Sequence, residues 1–418
     1  MPQQKARSRN PLSEIEAFNR GRLAPLLALK YRKMAASPFG YFRGTNHLFH
    51  EDCPRQAWLE RMPSAWLNGD LHLENFGTYR GDNRLVYFDV GDFDDGCLGP
   101  AGRDLLRFLV GLHLAARELG HSARRQAGLA RDFLAAYRAA LSNGKARWIE
   151  RRTATGLIGA LLKDLERRTQ LDLLAKRTVL KKSGRRLRTD NGKALKLSEA
   201  EQARVTAFMR RYARGRADPD FFTVLDVAQR VAGLGALGLP RYAVLIRGSG
   251  RPDEAALVDL KCQIGSTLLP LLAQRQPRFG GEAERVVEIE NRMQAVGPAF
   301  LTPVKIGGRS FTLRELQPSA DKLDLATAHP DAAELEGVVW SMGELTAWAQ
   351  LRCAGRDGAA NIDDLIAFAA NADPFGRLGQ LARDWARAIE RDWRDFSTSA
   401  LAKWAAKNPV PARENRDL

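Results

Sequence analysis

The sequence predicts an α+β chain in which helical and strand-rich parts are segregated. Apolar residues recur at helical spacing through most of residues 1–217, strand-like runs broken by Gly- and Pro-rich turns fill 218–320, and helical spacing returns over 321–418. These bounds divide the chain into a helical first part, a sheet-bearing second part and a helical third part.

Taken in order, Ser13 with Glu16 reads as a capping box opening the first helix, and Ser198 with Glu201 opens another. Between them Leu129, Phe133, Tyr137 and Leu141 form a core-facing stripe that stops at Asn143-Gly144. From Phe221 to Gln263 the runs FFTVLDVAQRV, RYAVLIRG and AALVDLK read as three short antiparallel strands. A helix resumes at about Glu282 (EAERVVEIENRMQA), a strand pair fits PVKIGGRSFTLREL, and the chain from Glu334 onward is helical.

Composition narrows the function classes. A chain of 418 residues with 44% hydrophobic and 27% charged residues is globular and long enough for two or three structural units. The longest apolar stretch, Leu105 to Ala116, is broken by Arg107 and His113 and falls short of the ~18 residues of a membrane span. The N-terminus lacks an apolar signal region, so a cytoplasmic protein is expected. Cys53, Cys97, Cys262 and Cys353 are scattered, which suits buried free thiols better than a disulfide framework or zinc ribbon. The net charge of +16 favours polyanionic partners such as nucleotides, nucleic acid or acidic surfaces. Much of the excess sits at Lys176, Arg177, Lys181, Lys182, Arg185, Arg186 and Arg188, with no interleaved aromatics. That stretch reads as a solvated connector, able to bind nucleic acid non-specifically at most.

The most informative segment is WLNGDLHLENFGTYRGDNRLVYFDVGDFDDG, residues 66–96. Phe76–Arg80 and Arg84–Phe88 read as strands joined by the turn Gly81-Asp82-Asn83. A turn centred on Asp82 places Asn75 across from Asp89 at ~5 Å between Cα atoms. Asp70 lies close enough to curl back to the same spot, and Asp92, Asp94 and Asp95 follow at once. Oxygen ligands at this density suit Mg²⁺, which takes a few carboxylates plus phosphates and water.

Together, the Asp70-to-Asn75 spacing, the hairpin and Phe88-Asp89 resemble the catalytic and metal-binding loops of the protein-kinase-like superfamily. The GDLHLEN form is similar to that of aminoglycoside and choline phosphotransferases, with Asn68 in place of their usual His. The resemblance implies ATP and Mg²⁺ as cofactors, Asp70 as the base that orients the acceptor hydroxyl, and Asn75, Asp89 and Asp92 around the metal. Asp104, opening a helix after Gly99-Pro100, would brace the catalytic loop.

The small lobe of a kinase normally precedes these loops, and here its look-alikes follow them. Gly233-Leu-Gly235-Ala-Leu-Gly238 lies between strand-like runs, and Val258-Asp-Leu-Lys261 resembles the strand whose lysine holds the nucleotide phosphates. The helix carrying Glu284, Glu288 and Glu290 would supply the glutamate that pairs with that lysine, with Glu288 the choice. The implied fold is bilobal, kinase-like and circularly permuted. Lys261 should then come within one nucleotide's reach of Asp89, with Thr312 to Leu316 near the crossing between lobes. The segments KMAASPFGYFRGTNHLF, GDLHLENFG, YFDVGDFDDG, VAGLGALGLPRY, ERVVEIENRMQA and FTLREL resemble the uncharacterised bacterial family known as domain of unknown function 2252, a kinase-like group. Members usually carry an Ala-His-Ala-Arg-Ser-Gly-Asp-like stretch where this chain has AWAQLRCAGRD at 347–357.

Two other classes compete with a phosphotransferase. Gly69-Asp70-Leu71-His72 also resembles a box of two-metal phosphoesterases, and a nucleotide-sensing pseudokinase or a basic nucleic-acid-binding protein would share the same composition.

Overall fold

A computed structural model describes residues 10–54, 56–182, 184–251 and 254–408. Helices dominate, and the strands form antiparallel sheets of two, six, three and two strands among the described residues. The largest core is helical. The helix Gly102–Glu118 lies at its centre, with Leu105, Leu106, Phe108, Leu109 and Val110 fully buried. Phe108 stacks on Phe133 of the helix Ala123–Asn143, ring centroids 3.9 Å apart. That second helix packs along Ala332–Arg352, where Gly343 permits the approach: a Cβ there would stand 2.4 Å from Phe133 O. The predicted stripe Leu129, Phe133, Tyr137 and Leu141 is buried, and Gly144 ends its helix in the left-handed conformation.

The six-stranded sheet runs Thr302–Ile306, Arg309–Glu315, Ala256–Cys262, Arg241–Ile246, Val224–Arg230 and Ala194–Leu195 in spatial order. Arg241–Ile246 is buried along its whole length because both faces are covered. Tyr242, Val244 and Ile246 pack with Val205 and Met209 of the helix Glu199–Ala213, while Ala243 and Leu245 pack with Leu174 and Leu187 on the other side. The helix Glu282–Met293 joins sheet and helical core, since Val286, Ile289 and Met293 belong to the latter.

Three sequence expectations need correction. Asn10, not Ser13, caps the first helix, Pro11–Phe18, and Ser13 Oγ donates to Asn10 O. The basic stretch is a hairpin, Thr178–Lys181 with Gly184–Leu187, strapped to the sheet by Leu187 N donating to Asp226 Oδ2 and Arg186 Nη1 to Leu225 O. It is folded because Leu187 and Leu174 bury apolar surface that a charge count does not register. The acidic hairpin pairs Phe76–Arg80 with Val86–Val90. Arg84, at φ 72°, and Leu85 both belong to its loop, so Asp89 sits across from Gly77, and Asn75 O instead accepts from Gly91 N.

Candidate active site

The site is assembled from the loop before the acidic hairpin, the loop after it, and the sheet. Asp104, in the first turn of the central helix, accepts from Asn68 N (2.6 Å) and Gly69 N (2.9 Å), the bracing expected of it. Burial raises its carboxyl to about 6 against those two hydrogen bonds. Gly69 has φ +80°, and a Cβ there would lie 2.1 Å from Asp95 O, so only glycine fits. Its carbonyl accepts from His50 Nε2 and Asn46 Nδ2. Asn68 ties the two loops together by donating to Gly91 O and Asp92 O while accepting from Asp70 N.

Asp70 projects into the resulting cleft. Arg107 holds its Oδ1 from both Nε (2.9 Å) and Nη2 (2.8 Å), and Nη2 also donates to Phe42 O. The guanidinium is fully buried, with its carbon 3.4 Å from the Phe42 ring centroid and 4.6 Å from that of Phe49. Burial nevertheless outweighs this cation and lifts the Asp70 carboxyl to about 7. Asn75 stands beside it, its Nδ2 donating to Asp70 O, which leaves Oδ1 for another partner. His72 caps the turn Leu73–Asn75 by accepting from Glu74 N, and its ring meets Phe39 edge-on.

Lys261 reaches the cleft from the strand Ala256–Cys262. Its Nζ lies 2.7 Å from Asp92 Oδ1 and 2.5 Å from Asp94 Oδ2. Partial burial raises the Asp92 carboxyl, and Lys261 more than reverses this; Asp94 remains above its ordinary value, with burial the main cause. Burial opposes the Lys261 charge, but the two carboxylates hold it above its ordinary value. Asp95 fastens the loop instead, accepting from Thr267 N, Thr267 Oγ1 and Asn46 Nδ2.

Two predicted residues have other partners than expected. Asp89, 1% exposed, lines the cavity that Lys261 also walls, and its Oδ2 accepts from Arg352 Nη2 (2.8 Å) and Ala295 N (3.0 Å). This also gives the AWAQLRCAGRD segment its role, since Arg352 is the counter-charge of a buried carboxylate. Glu288 turns outward and pairs with Arg292 (2.7 Å), whereas Glu290, two residues on, is buried facing Arg314 at 3.9 Å. Burial raises the Glu290 carboxyl. Glu284 accepts from Gly280 N.

Gly233 (φ +75°) and Gly238 (φ +88°) need their freedom, and at Gly238 a Cβ would press within 2.7 Å of Arg22 Cβ; Gly235 has open space around it. Gly233 and Gly235 line a small cavity of about 90 Å³ together with Asp70, Asn75, Asp92, Asp94, Arg22 and Lys30. A larger one, about 430 Å³, lies beyond Asn75 and Asp92 and is walled by Lys261, Glu290, Arg314, Leu316 and Gln317. Gln317 leaves the strand Arg309–Glu315 and bonds both backbone groups of Arg80 (2.6 and 3.0 Å), so the chain crosses from sheet to hairpin there. Sequence reasoning missed Arg107, Asp94 as a partner of Lys261, Arg22 and Lys30. Arg107 carried a signal, an arginine interrupting the longest apolar stretch three residues after Asp104.

No helix among the described residues is long and apolar enough to cross a membrane. No curated protein and no solved structure matches the chain. The model of a bacterial family described as an uncharacterized protein conserved in bacteria (DUF2252) matches residues 22–399, a span that takes in both loops, the glycine segment and Lys261. The chain belongs to this family.

Proposed function

We propose that the chain is an ATP- and Mg²⁺-dependent phosphotransferase with a circularly permuted, bilobal kinase-like fold, acting on a hydroxyl acceptor. The observation that carries this reading is the meeting of Lys261 with Asp92 and Asp94 beside Asp70 and Asn75, from opposite halves of the chain. The permutation is supported by the core. The helices Ala332–Arg352 and Asp373–Thr398 pack with Ala123–Asn143 and Gly102–Glu118, so the third part of the chain completes the first across the sheet-bearing second part.

The donor set suits Mg²⁺. Asp92, Asp94 and the Oδ1 of Asn75 are hard oxygens around one cleft, and a cationic ammonium already lies between the two carboxylates. Asp89 is not in this set, its carboxylate being consumed by Arg352. When bound, the ion would neutralise charge on phosphate oxygens. Asp70 accepts the proton of the acceptor hydroxyl, and a carboxyl lifted to about 7 is matched to that task near neutrality. Arg107 fixes the carboxylate's direction. Lys261 offers its charge to nucleotide phosphates, and the 430 Å³ cavity is of a size common for small-ligand pockets, ~300–1,000 Å³.

The test is a thermal-shift screen of the full chain with ATP, GTP and ADP, with and without Mg²⁺, followed by ³¹P detection of transfer to candidate alcohols. Stabilisation by nucleotide with Mg²⁺ is expected, ~2.7 kcal/mol at about 100-fold excess over Kd. No shift with any nucleotide would sink the reading, and binding with no transfer to any acceptor would make the chain a nucleotide sensor.

A further inference from the structure

The small cavity has a positive wall that the chemistry above does not use. Lys30, on the helix Ala24–Ala36, is wholly buried, and its ammonium donates to Asn19 Oδ1 (2.9 Å) and Gly235 O (3.3 Å). Arg22, 8% exposed, donates from Nη1 to Gly235 O (2.7 Å) and Leu237 O (2.8 Å), and its buried Nε has no partner. Both cations lie over the Phe18 ring, at 5.4 and 5.5 Å from its centroid. Every hydrogen-bond partner of the pair is neutral, although buried charges are ordinarily compensated. Arg43, on the same cavity, differs in being paired with Glu74.

Placement matters as much as charge. Asn75, Asp92, Gly233 and Lys322 wall both cavities, whereas Asp70, Arg22 and Lys30 face only the small one and Lys261 only the large one. Two cationic centres therefore flank the Asn75–Asp92 partition, with the base on the side of Arg22 and Lys30.

We propose that Arg22 and Lys30 form an oxyanion subsite on the Asp70 side of the cleft, built for a phosphate-type group. A staple for the glycine segment would need only neutral donors, since Asn19 Oδ1 and the carbonyls of Gly235 and Leu237 are the hydrogen-bond acceptors of the pair. Burial, and then the neighbouring Arg22 charge, push Lys30 well below its ordinary pKa, with Asp70 and Asp95 opposing only in part. An arriving oxyanion supplies a counter-charge that no hydrogen-bond partner of the pair provides, in a cavity of about 90 Å³ that Asp70, Asp92, Asp94 and Asp95 also line. The subsite rests on the phosphotransferase reading only for the source of the phosphate, which is either the nucleotide's terminal group or an anionic group on the acceptor.

Calorimetric titration of the full chain with inorganic phosphate, and separately with Mg²⁺-ATP, tests this. Phosphate should bind the parent, lose about tenfold or more in Lys30→Met, and stay within about threefold in Lys30→Arg, as expected for one charge-assisted contact. Lys30→Met places an apolar chain of similar length in a buried site and should fold; Arg22→Gln carries the same comparison if it does not. Mg²⁺-ATP affinity falling in parallel in Lys30→Met identifies the nucleotide's terminal phosphate, and unchanged affinity identifies the acceptor's own anion. A parent that ignores phosphate, or a Lys30→Met variant that binds it like the parent, overturns the subsite whatever ATP does. Lys30-dependent phosphate binding in a parent that ignores Mg²⁺-ATP keeps the subsite and defeats the phosphotransferase.

Discussion

Lys261 and Asp92, 169 residues apart in the chain, touch at 2.7 Å. The same ammonium reaches Asp94, so one side chain of the six-stranded sheet neutralises two carboxylates of the loop that follows the acidic hairpin. This contact closes the cleft and keeps two adjacent negative charges compatible. It also sets up a competition, since any divalent cation drawn to Asp92 and Asp94 must displace the lysine or share its ligands.

Lys261→Met should expose that competition. Without bound cation the variant loses about 1–3 kcal/mol, because Asp92 and Asp94 face each other uncompensated, and their partial exposure keeps the loss at the low end. Mg²⁺ alone should raise its Tm more than the parent's, while ATP binding weakens. Equal Mg²⁺ responses in the two proteins would remove Asp92 and Asp94 from the metal site.

Asp70 makes the pH dependence specific. Its folded pKa of about 7 stands above the ~3.9 of an unfolded aspartate, so between those values the folded chain binds the extra proton. Stability from this group is therefore present at low pH and falls as pH rises through roughly 4 to 7. On the proposed phosphotransferase reading activity runs the other way, because Asp70 as base must be ionised, and should rise through about pH 7. Asp70→Asn should flatten the stability slope in this window and lower transfer about 10²–10⁴-fold, with nucleotide affinity nearly intact. Chemical denaturation at a series of pH values, beside a pH–rate profile, reads both; an unchanged slope in the variant would show that Asp70 does not titrate there.

Much of the site was legible because it is local. Asp70, Asn75, Asp92 and Asp104 are ordered by short spacings within one loop–hairpin–helix segment, and the Lys261 strand was marked by the strand-like run AALVDLK. What sequence missed is set by tertiary register. Arg84 and Leu85 joining the hairpin loop moved Asp89 two places along its partner strand, away from Asn75 and onto Arg352. Glu288 and Glu290 lie on one helix and differ only in which face packs, a choice made by Ile289 and Met293 entering the helical core. Arg22 and Lys30 contact the glycine segment over more than 200 residues, for which no local pattern exists.

Gly69→Ala should be among the most damaging single changes in the chain. The added methyl group would meet Asp95 backbone at 2.1 Å, and φ +80° disfavours any side chain. Because Gly69 sits between the Asn68 clamp and Asp70, the cost falls on the loop that carries Asp70, about 2–4 kcal/mol, with loss of transfer expected on the proposed reading. Gly235→Ala, into open space, should change stability by no more than about 0.5 kcal/mol. Urea denaturation of the two variants makes the comparison, and similar losses would mean that the loop conformation is not what Gly69 secures.

Glu288 and Glu290 differ in what they can offer Lys261. Glu288 is half-exposed and holds Arg292 on its own helix, so Glu288→Gln should alter stability by less than about 1 kcal/mol and leave nucleotide affinity unchanged. Glu290 is buried among Arg314 and the wall of the larger cavity, and its carboxyl, raised by burial, gains from any approaching cation. If Mg²⁺ takes Asp92 and Asp94, the displaced Lys261 ammonium needs a new counter-charge, and Glu290 is a buried carboxylate walling the same cavity. Glu290→Gln should then weaken Mg²⁺-ATP binding about tenfold or more while leaving phosphate binding at Arg22 and Lys30 untouched, as expected for loss of one buried charge partner. A structure with Mg²⁺ and nucleotide should show Lys261 moved from Asp92 and Asp94 toward Glu290. Lys261 still bonded to both aspartates in that complex, or equal nucleotide affinities in the two glutamine variants, would take Glu290 out of the machinery.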